Sequence, residues 1–155
     1  MARYGSTGYR PAGAERGERS AGVFAFIRAW AVGILVLLIT EYIQMNALYG
    51  PVTGDKGPES FGSALLLVHL PNLVCVTLAT WAAATVHPEP QSERPLQHAV
   101  AACAVPVAAQ FLSLSVLWGR PGFDALGLWL SNGVLLAGCA LGWTADKLRR
   151  DRSED

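Results

Sequence analysis

Long apolar stretches separated by short polar segments dominate the chain. They occupy residues 22–48, 62–86, 98–118 and 123–144, and each contains more than 20 residues. A helix that crosses the hydrocarbon layer of about 30 Å needs about 20 apolar residues, because each residue rises about 1.5 Å. The pattern therefore predicts four transmembrane helices.

The distribution of charge supports this interpretation. The chain has 155 residues, of which 52% are hydrophobic and 15% charged, and its formal net charge is zero. Among the charged residues only Arg28, Glu41 and Asp124 fall inside the apolar stretches. A soluble core does not separate charge in this way, whereas a bilayer does. The sequence thus excludes a secreted disulfide scaffold, a basic nucleic-acid-binding domain and an ordinary soluble enzyme. It predicts an all-α integral membrane four-helix bundle.

The basic residues of the short flanking segments predict the orientation. The two tails and the second loop carry nine Lys and Arg residues, against two, Lys56 and Arg120, in the first and third loops. Because positive residues are retained on the cytoplasmic side, we expect both termini to be cytoplasmic. The bias toward Ala, Gly, Leu and Arg is typical of a GC-rich bacterial genome, and the expected location is the cell (plasma) membrane, multi-pass.

Composition divides the chain into three parts. Residues 1–21 are rich in Gly, Arg, Ser and Ala and predict a disordered cytoplasmic tail. Residues 22–144 form the transmembrane domain, with Ser60 as a plausible N-cap of the second helix, and residues 145–155 form a charged cytoplasmic tail. The third loop, residues 119–122, is a tight turn that makes the last two helices antiparallel neighbours.

Two pairs of small residues are spaced for close helix packing. Ala79 and Ala83 are four residues apart on the second helix, and Gly138 and Gly142 are four apart on the fourth. Such pairs allow helix backbones to approach one another in membranes. We favour packing within the bundle over a homodimer interface, because pairs of this kind arise easily in a chain rich in Ala and Gly.

One polar residue from each helix lies at a similar depth in the predicted bundle. These residues are Glu41, His69, Gln110 and Asn132, each about 10–14 Å below the outer boundary. Gln44 shares a helix face with Glu41, and Asn72 shares one with His69. Since a charge at this depth costs roughly 2.5–3.5 kcal/mol, it should face the interior and find a partner. We therefore predict that Glu41 and His69 meet across the first hairpin and that the other four complete a hydrogen-bonded cluster.

The cluster has two interpretations. It is either a structural contact that fixes which helix faces which, with bonds worth about 0.6 kcal/mol each on average, or a site for a proton or a polar ligand. A carboxylate and an imidazole in a low-dielectric bundle can exchange a proton.

The sequence predicts no metal and no cofactor. His87 and His98 bracket the second loop and could in principle face one another, but a haem there would be half in water, and no second pair exists in the other leaflet. Metal-binding patterns of the CxxC or HExxH type are absent. Cys75, Cys103 and Cys139 are interpreted as small packing residues.

Without a catalytic constellation or a nucleotide site, the sequence favours a non-enzymatic accessory or scaffold subunit packing against membrane partners. The alternative is a small proton-linked carrier or ligand-binding bundle that uses the Glu41–His69 cluster. A redox membrane enzyme is the least favoured class. The expected surroundings are the lipid bilayer together with a membrane-protein partner or further copies of the chain, and no nucleic acid.

Overall fold

The computed structural model describes residues 12–49, 51, 60–87, 95–118 and 125–153, and the regular elements within these ranges are all helical. Helix α1 spans Ala12–Ile43 and continues as a π-helical turn over Gln44–Tyr49. Helix α2 spans Phe61–Val86 and contains a π-helical segment at Leu65–His69. Helices α3 and α4 span Pro95–Leu117 and Ala125–Asp151. All four are long and apolar enough to cross a membrane, so the prediction of four such helices is confirmed.

Two helices extend beyond the apolar stretches that predicted them. Helix α1 already begins at Ala12, so part of the segment expected to be a disordered tail is helical, while residues 1–11 lie outside the described residues. Helix α4 continues to Asp151, past the predicted boundary at 144. Five of the seven residues at 145–151 are Ala, Lys, Leu or Arg, which favour helix in water as well, and none is Gly or Pro. The tight turn at 119–122 and Asp124 also lie outside the described residues.

Helix α2 is the central element, since it packs against α1, α3 and α4, while α3 also contacts α1 and α4. One core cluster joins Leu37 of α1 to Cys75 and Ala79 of α2 and Val105 of α3. A second cluster joins Ala29, Ala83 and Ala101, one from each of the same three helices. The small side chains let the backbones approach closely, and dispersion contacts then hold helices that gain nothing from burying apolar surface away from lipid.

The contact between α2 and α4 depends on glycine. Gly138 and Gly142 are both buried, and a Cβ atom on either one would lie within 3 Å of atoms of α2. Ala79 and Ala83 are 0% exposed in the core shared with α1 and α3. Both small-residue pairs therefore lie in contacts within the chain.

The start of α2 has the N-cap that the sequence predicts. Ser60 is extended (φ −141°, ψ 159°), its Oγ accepts from the backbone N of Ser63 at 3.2 Å, and its own N–H donates to Ser63 Oγ at 3.0 Å. This reciprocal arrangement satisfies two of the donors left over at a helix start. The prediction of Ser60 as the N-cap is confirmed.

Candidate functional site

Gln44 is the member of the predicted polar cluster that bonds to another helix. It is buried, its Nε2 donates to the carbonyl oxygen of Val68 at 3.3 Å, and its Oε1 accepts from Cys75 Sγ at 3.5 Å. Gln44 begins the π-helical turn of α1, and Val68 lies in the π-helical segment of α2. Pro71 follows that segment and supplies no N–H to the carbonyls one turn before it. The Gln44 amide therefore ties α1 to α2 where the backbone bonding of α2 is interrupted.

The other predicted members are not joined to one another in the described part of the chain. Glu41 lies on the exposed surface of α1, whereas His69, Asn72 and Gln110 are partly buried, and no side-chain hydrogen bond among the described residues includes any of these four. Asn132 donates to Leu128 O within its own helix at 2.9 Å. The predicted hydrogen bond between Glu41 and His69 is not formed. A role for these residues in binding a proton or a ligand stays a prediction.

A second group of polar residues is buried at the other end of the bundle, the tail end, where α1 begins and α4 ends. Asp146 of α4 is 0% exposed and His98 of α3 is 3% exposed. His98 Nε2 lies 3.2 Å from Asp146 Oδ2. Arg150, one turn after Asp146, donates from Nε to Asp146 Oδ2 at 2.8 Å, and its Nη2 contacts both that oxygen and His98 Nε2. We call His87, His98, Asp146 and Arg150 the tail-end cluster.

The tail-end cluster connects all four helices. The ring of His87, at the end of α2, meets the ring of His98 edge-on at 5.7 Å, and on its other side the ring of Phe26 of α1 at 5.3 Å. Arg28 of α1 donates to Val86 O at 2.7 Å and so caps an end carbonyl of α2.

Asp146 is the one buried carboxylate among the described residues at this end of the bundle. Asp146 receives Arg150 on Oδ2, and the more exposed Arg149 lies 3.6 Å from Oδ1. Ionic hydrogen bonds of this kind are stronger than neutral ones, and a buried carboxylate needs them to remain ionised. The arrangement can hold a proton on His98 and can position the Arg150 guanidinium. Neither role needs a catalytic step.

The tail-end cluster does not have the geometry of a metal site. The described residues contain no group of three His, Cys, Asp or Glu side chains placed to hold a metal ion. In addition, the Arg150 guanidinium contacts the Nε2 atom of His98 that a metal would use. Cys75, Cys103 and Cys139 are free thiols.

The charged composition of residues 145–155 predicts a solvated tail, whereas Asp146 within it is buried. Two signals in the sequence identify it. It follows Gly138 and Gly142 at the same four-residue step, which continues the buried stripe of α4, and it precedes Arg150 at the i, i+4 spacing of helical ion pairs. His87 and His98 were considered only as metal ligands, although histidine also pairs with carboxylates.

The comparisons with known proteins identify no relative: no family model, curated protein or solved structure matches the chain. The class of protein therefore rests on the chain itself. Four apolar helices of membrane-spanning length in an all-helical structure indicate a multi-pass membrane protein.

Proposed function

We propose that the chain is a non-enzymatic accessory or scaffold subunit that packs against another membrane protein through the face of α1 that carries Glu41. A single observation carries the proposal. The Glu41 side chain is exposed on the bundle surface and makes no hydrogen bond or ion pair with the described residues. It lies seven residues, about 10 Å, from the end of the apolar span Gly22–Leu48.

An ionisable side chain at this depth is costly when it faces lipid. Insertion of a carboxylate near the helix centre costs roughly 2.5–3.5 kcal/mol, and such residues normally face a protein interior and pair with a polar group. Within the described part of this chain that pairing is missing. A neighbouring protein that brings a hydrogen-bond donor to the same depth would supply it.

The residues around Glu41 form a continuous exposed seam on α1, which we call the Glu41 seam. Its members follow the alternating spacing of four and three residues that is typical of paired helices. They are Ile27, Ala31, Ile34, Leu38, Glu41, Met45 and Leu48, all exposed in the isolated chain. A partner helix that carries Arg, Lys, His, Asn or Gln opposite Glu41 would fit this seam.

The alternative function, a proton-linked carrier or a ligand-binding bundle built on Glu41 and His69, has less support. Its central contact, a hydrogen bond between these two side chains, is not formed. A carrier also needs a polar pathway through the bundle, whereas the two core clusters shared by α1, α2 and α3 consist of apolar side chains.

Orientation and location are part of the same proposal. Four crossings place both termini on one side of the membrane. The nine basic residues of the tails and the second loop, against two in the other loops, favour the cytoplasm for that side. We therefore propose a bacterial cell membrane protein with cytoplasmic termini. Reporter fusions at each terminus and in the loop around Lys56 would test the orientation.

Site-specific photo-crosslinking in native membranes tests the function. A photoreactive amino acid replaces Leu38 or Met45, which flank Glu41 on the seam, and in control proteins it replaces the exposed Trp129 or Leu136 of α4. The proposal predicts an adduct with one other membrane protein from the seam positions and little from α4. An adduct containing only a second copy of the chain, or equal labelling from both helices, would overturn it.

Substitution of Glu41 completes the test. Glu41→Ala should reduce recovery of the partner in affinity purification about tenfold, whereas Glu41→Gln, which retains hydrogen bonding, should reduce it less. Asn46→Ala is the matched control, because Asn46 is an exposed polar residue of the same helix and its side chain, among the described residues, bonds only to Tyr42 O of that helix. Full recovery of the partner with Glu41→Ala would contradict the proposal.

A further inference from the structure

We propose that His98 is a proton-binding residue and that its protonation exchanges the partner of its Nε2 atom from Arg150 to Asp146. The tail-end cluster is then a proton-sensitive contact between α3 and the end of α4. This inference is independent of the proposed function, because it rests on residues at the opposite end of the bundle from Glu41.

One ring nitrogen of His98, Nε2, lies next to two charged side chains. His98 Nε2 contacts Arg150 Nη2 and lies 3.2 Å from Asp146 Oδ2. Arginine can only donate and an ionised carboxylate can only accept, while an imidazole nitrogen carries either a lone pair or a hydrogen. His98 Nε2 therefore cannot bond to both at once. It accepts from Arg150 when it carries a lone pair and donates to Asp146 when it carries a proton.

His98 Nε2 lies closer to Arg150 Nη2 than to Asp146 Oδ2, which favours the neutral form of His98. With a lone pair on Nε2, the ring hydrogen lies on Nδ1, which is buried and has no hydrogen bond to the described residues. Among the described residues, Asp146 is in this form held by Arg150 on Oδ2, with Arg149 3.6 Å from Oδ1. A proton added at Nε2 makes His98 a cation beside the Arg150 guanidinium and opposite the Asp146 carboxylate.

Once His98 is protonated, the surrounding charges favour Asp146 over Arg150 as the partner of its Nε2 atom. On α4, His98 faces Asp146 and Arg150, with Arg149 on the far carboxylate oxygen. At the end of α2, His98 faces His87. Arg28 of α1 donates to the carbonyl oxygen of Val86, the residue before His87. Among these groups Asp146 is the single anion. The new cation is therefore attracted by Asp146 and repelled by Arg150.

Arg150 is the group free to move. Its side chain is 27% exposed, whereas that of Asp146 is 1% exposed and fixed within the bundle. A long arginine side chain at a helix end can turn outward to water or to lipid phosphates. Protonation of His98 would thus replace an Arg150–His98 contact by an ion pair between α3 and α4, and would release Arg150 to the membrane surface.

Nitrogen-15 NMR of histidine-labelled full-length protein in lipid bilayers tests the proposal. The chain has three histidines, and spectra of His98→Gln protein assign the His98 signals by difference. If His98→Gln does not fold, His69→Gln and His87→Gln assign them by elimination. At pH 8 we expect His98 to carry hydrogen on Nδ1 and a lone pair on Nε2. On titration to lower pH we expect hydrogen on both nitrogens.

Arg150→Gln distinguishes the exchange from ordinary titration. Removal of the competing guanidinium should raise the affinity of His98 for a proton about tenfold. This corresponds to a rise of about one pH unit in the titration midpoint, or about 1.4 kcal/mol in the free energy of proton binding. Lys147→Gln is the control, because it removes one positive charge from an exposed position of the same helical turn. Hydrogen on Nε2 at pH 8, or equal midpoints for Arg150→Gln and Lys147→Gln, would overturn the proposal.

Discussion

Gly142 of α4 lies so close to Thr80 of α2 that a Cβ atom on the glycine would be 2.7 Å from the Thr80 Cβ. The same atom would be 2.7 Å from the carbonyl oxygen of Thr77, which is a backbone atom. One turn earlier, a Cβ on Gly138 would be 2.6 Å from Val76 Cγ1. The α2–α4 contact therefore requires two positions without a side chain.

Gly142→Ala should destabilise the bundle by about 1–3 kcal/mol, the typical cost of overpacking. The contact with a backbone oxygen leaves no side chain that could turn away, so the helices must separate. Gly133→Ala is the control, because a Cβ there meets nothing within 4 Å. It should be neutral or slightly stabilising, since alanine is the better helix former. Thermal unfolding of the purified proteins in detergent would measure both effects, and equal stability of the two variants would contradict the prediction.

Gly138→Ala should also destabilise the bundle, but here a second substitution should relieve part of the cost. The nearest atoms are Cγ1 and Cβ of Val76, and Val76→Ala removes the nearer one. A double-mutant cycle should therefore show a favourable coupling of about 0.5–2 kcal/mol between the two substitutions. Additive losses would show that Val76 Cγ1 is not the obstacle.

Much of the fold follows from the sequence because hydropathy and charge act on each helix separately. Any stretch of about 20 apolar residues must satisfy its backbone within the membrane, and only a helix does so along a single segment. The four helices could therefore be identified without knowledge of their packing. The N-cap at Ser60 is equally local, since it depends on residues three positions apart.

Hydropathy and charge could not predict which face of each helix is turned toward the bundle interior. Equal depth of Glu41 and His69 fixes their height but not the rotation of their helices. The buried stripe of α1 consists of small and apolar residues up to Leu37, and Gln44 lies within about 20° of Leu37 on the helical wheel. Glu41 is rotated about 60° from Gln44, which is sufficient to place it on the exposed surface. Packing of small residues, rather than pairing of polar ones, determined the faces.

Gln44→Leu should weaken the contact between α1 and α2, because it removes the donor to Val68 O and the acceptor for Cys75 Sγ. Hydrogen bonds between membrane helices contribute about 0.6 kcal/mol on average and about 1.7 at most, so we expect a loss within that range. Asn46→Ala, which removes an exposed bond within α1, should change the stability little. Denaturation in mixed micelles would compare them. A gain in stability for Gln44→Leu would show that its amide is not needed at the interruption of α2.

Asp146→Ala should be among the most damaging single substitutions in α4. It removes the buried carboxylate that accepts from Arg150 and lies next to His98, and it leaves the guanidinium beside an imidazole without a counter-charge. Breaking a buried ion pair typically costs 3–5 kcal/mol, and partial exposure of Arg150 reduces this to about 2–3 kcal/mol.

Asp151→Ala is the control, because Asp151 is an exposed acidic residue at the end of the same helix. Its stability should lie within about 0.5 kcal/mol of that of the unsubstituted protein. Thermal unfolding at low and high salt should show that the loss for Asp146→Ala persists in salt, because a buried pair is screened less than a surface pair. Similar stability of the two variants would mean that the end of α4 is held by its apolar contacts alone.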